Sequence, residues 1–233
     1  TFSHFLRKVE NMKLGLIINP IAGMGGRVGL KGTDGPEILQ QALSLGAVPE
    51  ANAKTRQALI ELMPLQSQLE IYTYPGAMGE DLARELGFRT TVLGKIGVQT
   101  TPDDTMAAAQ AMLDAQVDLL CFAGGDGTAR NIAAVIKTAL PVLGIPAGVK
   151  IHSGVFASHP QAAGKLIFKF FSDENIDLVD GEVMDIDEEA FRAGVVTTKL
   201  YGEMRIPLDP EFIQLTKSGG NLAPQREVLL GIA

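Results

Sequence analysis

The feature that most constrains the fold is an apolar segment that ends abruptly in glycines. Residues 119–131 read LLCFAGGDGTARN. The apolar part is too short for a helix and stops at three glycines around Asp126, and residues 132–139 then carry apolar side chains at helical spacing. This pattern predicts a buried strand, a tight loop and the start of a helix.

The loop in this segment has the residue types that suit a bound phosphate. Glycines let the backbone approach a ligand, and Thr128 is placed to cap the next helix and leave its first N–H groups facing an anion. Asp126 is the ionisable group at the centre, able to accept a proton from a hydroxyl or to help hold a magnesium ion. The same residues also suit a glycine-rich turn in which Asp126 only shapes the backbone.

Two further glycine motifs follow apolar runs. Residues 14–18 form a run that is followed by NPIAG, and residues 141–145 form another that is followed by PAG. Strand and helix patterns alternate along the chain, which predicts a parallel sheet with helices on both faces. Because ligands bind beyond the carboxyl ends of such strands, we expect the three glycine loops to lie at one edge of the sheet.

The predicted fold class is α/β, with a doubly wound parallel sheet followed by part of a second, β-rich domain. Residues 1–12 are excluded from the fold as a leader, an alternative start or an added segment. Residues 13–174 are assigned to the α/β domain, in which Thr101 opens a helix as its cap. Residues 175–233 alternate like strands with one solvated face, so they are assigned to the partial second domain.

Composition narrows the class of protein. The chain has 233 residues, 46% of them hydrophobic, and a formal net charge of −7, which argues against a broad nucleic-acid surface. No apolar run approaches the length of a membrane span and no signal peptide is evident, so we expect a cytoplasmic protein without a membrane partner. Cys121 is the single cysteine, and we predict that it packs as a small apolar residue and is not a reactive thiol.

The three glycine motifs resemble those of a known superfamily. GGDGT at residues 124–128 matches the signature of the NAD kinase and diacylglycerol kinase superfamily, and NPIAG at residues 19–23 looks like its early NPxxG turn. Residues 144–150, GIPAGVK, stand where typical NAD kinases carry a Gly-Ile-Asn-x-Gly loop. Together with the acidic segment at 183–188, the chain is most similar to the ATP-NAD kinase-like branch that includes proteins encoded with acetoin-catabolism enzymes.

The resemblance implies a phosphotransferase that uses ATP or polyphosphate and Mg²⁺, with NAD as the acceptor. Asp126 is the implied catalytic residue, which orients or deprotonates a ribose hydroxyl. The residues implied to bind the nucleotide are Asn19, Pro20, Gly23, Gly25, Gly26, Gly124, Gly125, Gly127, Thr128, Asn131, Gly148, Lys150 and His152. No protein ligand is assigned to the metal. Family members are commonly dimers or tetramers, so we expect a homo-oligomer that binds small nucleotide substrates.

Several alternatives stay open. Pro146 replaces the family's usual asparagine, no Asn-Glu pair for ribose is evident, and the second domain is shorter than in typical members, so the chain is expected to be a fragment. A lipid or small-alcohol kinase, or a non-catalytic nucleotide-binding protein, fits the same scaffold. His152 stands at the rim of the site with no acid nearby in the sequence, which favours a structural role. Asp185, Asp187 and Glu188 suit a metal or ribose site or simple solvation, because alternation places both aspartates on the exposed face.

Overall fold

The structure, a computed structural model, describes residues 12–29, 36–148, 151–172, 176–186 and 197–213. The strands are β1 (Met12–Ile18), β2 (Leu69–Thr73), β3 (Arg89–Val92), β4 (Leu119–Gly124), β5 (Val142–Pro146), β6 (Leu178–Ile186) and β7 (Thr198–Pro207). The α-helices are α1 (Met24–Arg27), α2 (Pro36–Ser44), α3 (Ala51–Ile60), α4 (Glu80–Glu85), α5 (Pro102–Asp114), α6 (Asp126–Ile136) and α7 (Pro160–Phe171). Within these ranges, every helix is too short or too polar to cross a membrane.

Five parallel strands of the described chain form one sheet in the order β3-β2-β1-β4-β5. β1 pairs with β2 on one side and with β4 on the other, so the winding direction reverses between β1 and β4. At such a reversal the loops of neighbouring strands diverge and leave a crevice. β6 and β7 form a separate antiparallel pair. The predicted doubly wound α/β sheet with a following β-rich part is confirmed.

The central strands of the sheet are buried on both faces, which explains their uninterrupted apolar sequences. Every residue of β4 is buried, and in β1 only Lys13 is partly exposed. Helices α3 and α7 pack together over the sheet, and α5 and α6 form a second packed pair that contacts β1, β2 and β4. Phe122 of β4 and Phe156 meet edge to face, with 5.2 Å between their ring centroids.

Two local predictions are confirmed. Cys121 in β4 is fully buried, and this burial raises the pKa of its thiol, as expected for a packed apolar residue. Thr101 caps α5 in a capping box: Thr101 Oγ1 accepts a hydrogen bond from Asp104 N at 3.4 Å, and Asp104 Oδ2 accepts one from Thr101 N at 2.8 Å. Both results come from signals that are local in the sequence.

Two other predictions are wrong in detail. β1 begins at Met12, inside the segment assigned to a leader, because Met12 pairs with Leu69 of β2. α6 begins at Asp126 with Gly125 as its N-cap, so Thr128 is not the cap that the sequence predicts. The predicted domain boundary near residue 174 lies outside the described residues, as do Lys150, Asp187 and Glu188.

Gly164 of α7 packs directly against the backbone of α3. A Cβ atom at Gly164 would overlap the Ala58 carbonyl oxygen and would stand 2.8 Å from Glu61 Cβ. Because a backbone oxygen cannot move aside unless the helices separate, we expect Gly164→Ala to lower the free energy of unfolding by about 1–3 kcal/mol. Helix propensity alone would raise the free energy of unfolding by about 1 kcal/mol. A decrease would therefore show that the overlap with α3 outweighs the gain in propensity. Urea unfolding measures the change.

Gly97→Ala, outside any helix, is the control for adding a methyl group where there is room for it. The nearest atom to a Cβ at Gly97 is the Gln99 carbonyl oxygen at 3.7 Å, an ordinary contact. We expect this variant to stay within about 0.5 kcal/mol of the wild type. A Gly164→Ala protein that is as stable as the wild type would contradict the close packing of α3 and α7.

Candidate functional site

The loops that follow β1, β4 and β5 contact one another at one edge of the sheet. We call this the loop edge, and it comprises residues 19–25, 124–128 and 146–148. The Gly124 carbonyl oxygen accepts hydrogen bonds from Ala147 N at 2.9 Å and from Gly148 N at 3.0 Å. These bonds hold the β5 loop against the end of β4. The three glycine motifs therefore meet at one place, as their position after neighbouring strands predicts.

The first loop is held by the side chain of Asn19. Asn19 Oδ1 accepts a hydrogen bond from Ile21 N at 3.2 Å, which shapes the turn, and Asn19 Nδ2 donates to Thr128 Oγ1 at 3.0 Å. An amide side chain suits this position because it offers an acceptor and donors together. Thr128 lies inside the first turn of α6, past the N-cap position, and its hydroxyl is engaged by Asn19.

Glycines allow the loops of this edge to pack against each other. Gly23 has a φ of +79°, and a Cβ atom there would overlap the Ala147 carbonyl oxygen. A Cβ atom on Gly124 would overlap the Thr128 side chain. Real side chains do not reach such distances without displacing their neighbours. Contacts within the protein therefore explain why glycine is needed at these two positions, and no ligand has to be invoked.

The first turn of α6 gives the loop edge features that suit an anion. The first hydrogen bond of this helix runs from Ala129 N to Gly125 O at 3.0 Å, so helix geometry leaves the N–H groups of residues 126–128 without a partner inside the helix. Such groups, together with the helix dipole, favour a negative charge at the helix start. The arrangement suits a phosphate group.

The Asp126 carboxylate is buried and is held by the chain that follows β5. The residue is 7% exposed. Its Oδ1 accepts hydrogen bonds from Ser153 Oγ at 2.6 Å and from Ser153 N at 3.0 Å. Its Oδ2 accepts one from His152 N at 2.8 Å and lies 3.1 Å from His152 Nδ1. Both oxygens are thus fully engaged, because a carboxylate offers about four lone-pair directions.

Two residues of this group were missed or misread in the sequence. His152 does have an acid partner, and it is Asp126, 26 residues earlier in the chain. Ser153 was not singled out, although it is 1% exposed and its Oγ also accepts a hydrogen bond from Met184 N of β6 at 3.0 Å. No local pattern marks either role, because both depend on how distant segments meet.

A contact between α6 and the β6–β7 pair uses charge. Arg130 Nη1 lies 3.0 Å from Asp185 Oδ2, and the Arg130 guanidinium carbon lies 5.2 Å from the centre of the Tyr201 ring. Val183 of β6 is buried, and Asp185, two residues on, shares its side of the strand. The prediction that alternation exposes Asp185 is therefore wrong. Tyr201 is the extra residue at a bulge in β7.

Most of the predicted site residues lie at the loop edge or beside it. Those placed there are Asn19, Pro20, Gly23, Gly25, Gly124, Gly125, Gly127, Thr128, Gly148 and His152. Gly26 lies in the short helix α1, and Asn131 lies half-buried farther along α6. Lys150 lies outside the described residues. Their roles in binding a nucleotide stay predictions.

Comparison with known proteins identifies the family. The sequence profile of the ATP-NAD kinase N-terminal domain matches residues 14–175, which is more than half of the chain. The chain belongs to this family. The matched range of the NAD kinase-family domain includes all three loops of the loop edge and the His152–Ser153 segment. No curated protein sequence matches the chain.

Three solved structures from Bacillus anthracis str. Sterne resemble this NAD kinase-family chain. Two are of a candidate diacylglycerol kinase, with 20% and 17% identity and TM-scores of 0.38 and 0.40, and one is of a diacylglycerol kinase, with 17% identity and a TM-score of 0.39. Each match covers 75% of this chain. The chain spans less than half the length of these structures, at 45%, 45% and 43%. Similarity at this level identifies no substrate.

The contact between Gly23 and Ala147 can be tested against a glycine of the same backbone conformation. Gly46 has a φ of +82° and no atom within 4 Å of the position that a methyl group would take, whereas a methyl group at Gly23 would overlap Ala147. Both alanine substitutions cost about 1–2 kcal/mol for the positive φ. Gly23→Ala adds the overlap, so we expect its free energy of unfolding to fall by a further 1–3 kcal/mol or so. Equal losses in urea unfolding would contradict this loop contact.

Proposed function

We propose that the protein is a phosphotransferase that moves the terminal phosphoryl group of ATP or polyphosphate to a ribose hydroxyl of NAD. One observation carries the proposal: the buried Asp126 carboxylate stands in the first turn of α6, where three loops meet and helix N–H groups suit an anion. Membership of the ATP-NAD kinase N-terminal domain family supports the same chemistry.

The loop edge supplies what phosphoryl transfer needs most, which is positioning and charge stabilisation. The N–H groups of residues 126–128 stabilise the negative charge that spreads over the transferred phosphoryl group. Asn19 Nδ2 donates a hydrogen bond to Thr128 Oγ1 at 3.0 Å, which holds the first loop in place beside the donor phosphates. The nucleotide-binding roles predicted for Asn131, Gly148 and Lys150 belong to this proposal.

Magnesium is the metal that this chemistry implies, and when bound it would neutralise charge on the donor phosphates. Mg²⁺ usually keeps several waters and binds through substrate phosphates and one or two carboxylates. Asp126 fits poorly as such a ligand, because four hydrogen-bond contacts already engage its oxygens. In the described ranges no three His, Cys, Asp or Glu side chains gather as a metal site. We therefore assign no step to an ion held by the protein.

Asp126→Asn tests the proposed reaction. An amide would turn an N–H₂ group toward the N–H donors of His152 and Ser153, so the arrangement around this side chain would be lost. We expect NADP formation from NAD, Mg²⁺ and ATP or polyphosphate to fall by about 100-fold or more. The readout is NADP formed over time by the wild type and the variant at equal concentration.

Asp209→Asn is the matched control for the loss of a carboxylate. Asp209 lies outside the loop edge, and its Oδ2 is ion-paired with Lys169 Nζ at 2.9 Å. This variant should keep the wild-type rate of NADP formation. A wild-type protein that forms no NADP from either donor would rule out NAD as the acceptor, and an active Asp126→Asn protein would rule out a role for this carboxylate.

A further inference from the structure

We infer that His152 takes the proton from the acceptor hydroxyl, and that Asp126 is the positioning residue that holds His152 for this step. The inference rests on the proposed phosphotransferase function. It changes the role of Asp126, which the resemblance assigns as the group that orients or deprotonates the hydroxyl. The contacts of the two side chains carry the argument.

Asp126 is badly placed to accept a substrate proton. Its side chain is 6% exposed, and both oxygens already accept hydrogen bonds from His152 and Ser153. Two of these bonds come from backbone N–H groups, which cannot turn away without moving the chain. A hydroxyl would have to displace one of these donors, and a buried N–H group left unpaired costs about 1–3 kcal/mol.

His152 has the opposite properties. Its side chain is 42% exposed, and its Nδ1 lies 3.1 Å from Asp126 Oδ2. An ionised carboxylate accepts hydrogen bonds only, so Nδ1 carries the proton in this contact and Nε2 is left as an acceptor. Nε2 lies across the ring from Nδ1, on the side away from Asp126. Imidazole is also the side chain that exchanges protons most readily near neutral pH.

The pair has the geometry of a carboxylate that fixes a histidine in one tautomer. Such a carboxylate also stabilises the imidazolium that forms when the ring takes a proton. Ser153 keeps Asp126 from rotating, because its Oγ is 2.6 Å from Asp126 Oδ1 and also accepts a hydrogen bond from Met184 N at 3.0 Å. Ser153 is therefore a second positioning residue, one step farther from the substrate.

The step that follows is balanced without any further reactant. The acceptor hydroxyl oxygen forms a bond to the terminal phosphorus of a nucleoside triphosphate or polyphosphate, and its proton passes to His152 Nε2. The bond from that phosphorus to the bridging oxygen breaks, and its electron pair stays on the leaving phosphate chain. The imidazolium, paired with Asp126, returns its proton to water after the products leave.

His159 is the matched control, because it is a second exposed histidine whose Nδ1 is engaged within the protein. As the N-cap of α7, its Nδ1 accepts a hydrogen bond from Ala162 N at 3.2 Å and lies 3.3 Å from Gln161 Oε1. The side chain is exposed, as in His152. Its Nδ1 holds the start of a helix, whereas Nδ1 of His152 faces a buried carboxylate. Replacing His159 therefore tests the loss of an exposed histidine as such.

The experiment compares the full chain with His152→Ala, His152→Gln, His159→Ala and Asp126→Asn, using NADP formation as the rate and ATP-dependent thermal protection as the check on folding. We expect kcat of both His152 variants to fall by about 100-fold or more while ATP protection stays. His152→Gln keeps an N–H group for Asp126 but has no nitrogen that accepts a proton. Added imidazole should restore activity to His152→Ala and not to Asp126→Asn, and His159→Ala should keep the wild-type rate.

Each other outcome decides against one of the two proposals. If His152→Ala keeps the wild-type kcat, or if it is folded and inactive but imidazole restores nothing, His152 is not the proton acceptor and the phosphotransferase assignment stands. If His152→Gln is fully active, the ring serves only to hold Asp126, and the inference fails. If the wild type transfers no phosphoryl group to NAD, the proposed function fails and takes the inference with it.

Discussion

The hydrogen bonds to the buried Asp126 carboxylate are the interaction on which the rest of the loop edge depends. A buried carboxylate costs several kcal/mol or so unless hydrogen bonds replace its hydration. Here the replacement comes from the adjacent residues His152 and Ser153, whose backbone N–H groups both donate to it. The chain after β5 must therefore return to the start of α6. This return brings an exposed histidine beside a helix terminus that suits phosphate.

The glycines allow the loops at this edge of the sheet to pack closely. Gly23 lies against the Ala147 carbonyl, and Gly124 lies against the Thr128 side chain, with no room for a Cβ atom at either position. The Gly124 carbonyl oxygen also accepts two hydrogen bonds from the β5 loop. Loops fixed in this way can hold reacting groups in place without reorganising during the reaction. The glycines thus contribute to preorganisation by allowing close packing of the loops, and not by leaving them flexible.

The parts that the sequence predicts are those with local signals. β1, β4 and β5 are recognisable because a parallel strand that is buried on both faces has an uninterrupted apolar sequence. The Thr101 capping box is equally local. The partner of His152 was not predictable, because Asp126 lies 26 residues away and meets it only when α6 and the β5 loop come together. Asp185 was misread because its side of β6 is set by packing against α6.

The β6–β7 pair takes part in fixing the site, although the family profile ends at residue 175, before β6 begins. Met184 N of β6 donates to Ser153 Oγ, which in turn contacts Asp126 at 2.6 Å. Asp185 Oδ2 of the same strand lies 3.0 Å from Nη1 of Arg130 in α6. The orientation of the Asp126 carboxylate therefore depends on the α/β sheet and also on the strand pair that follows it.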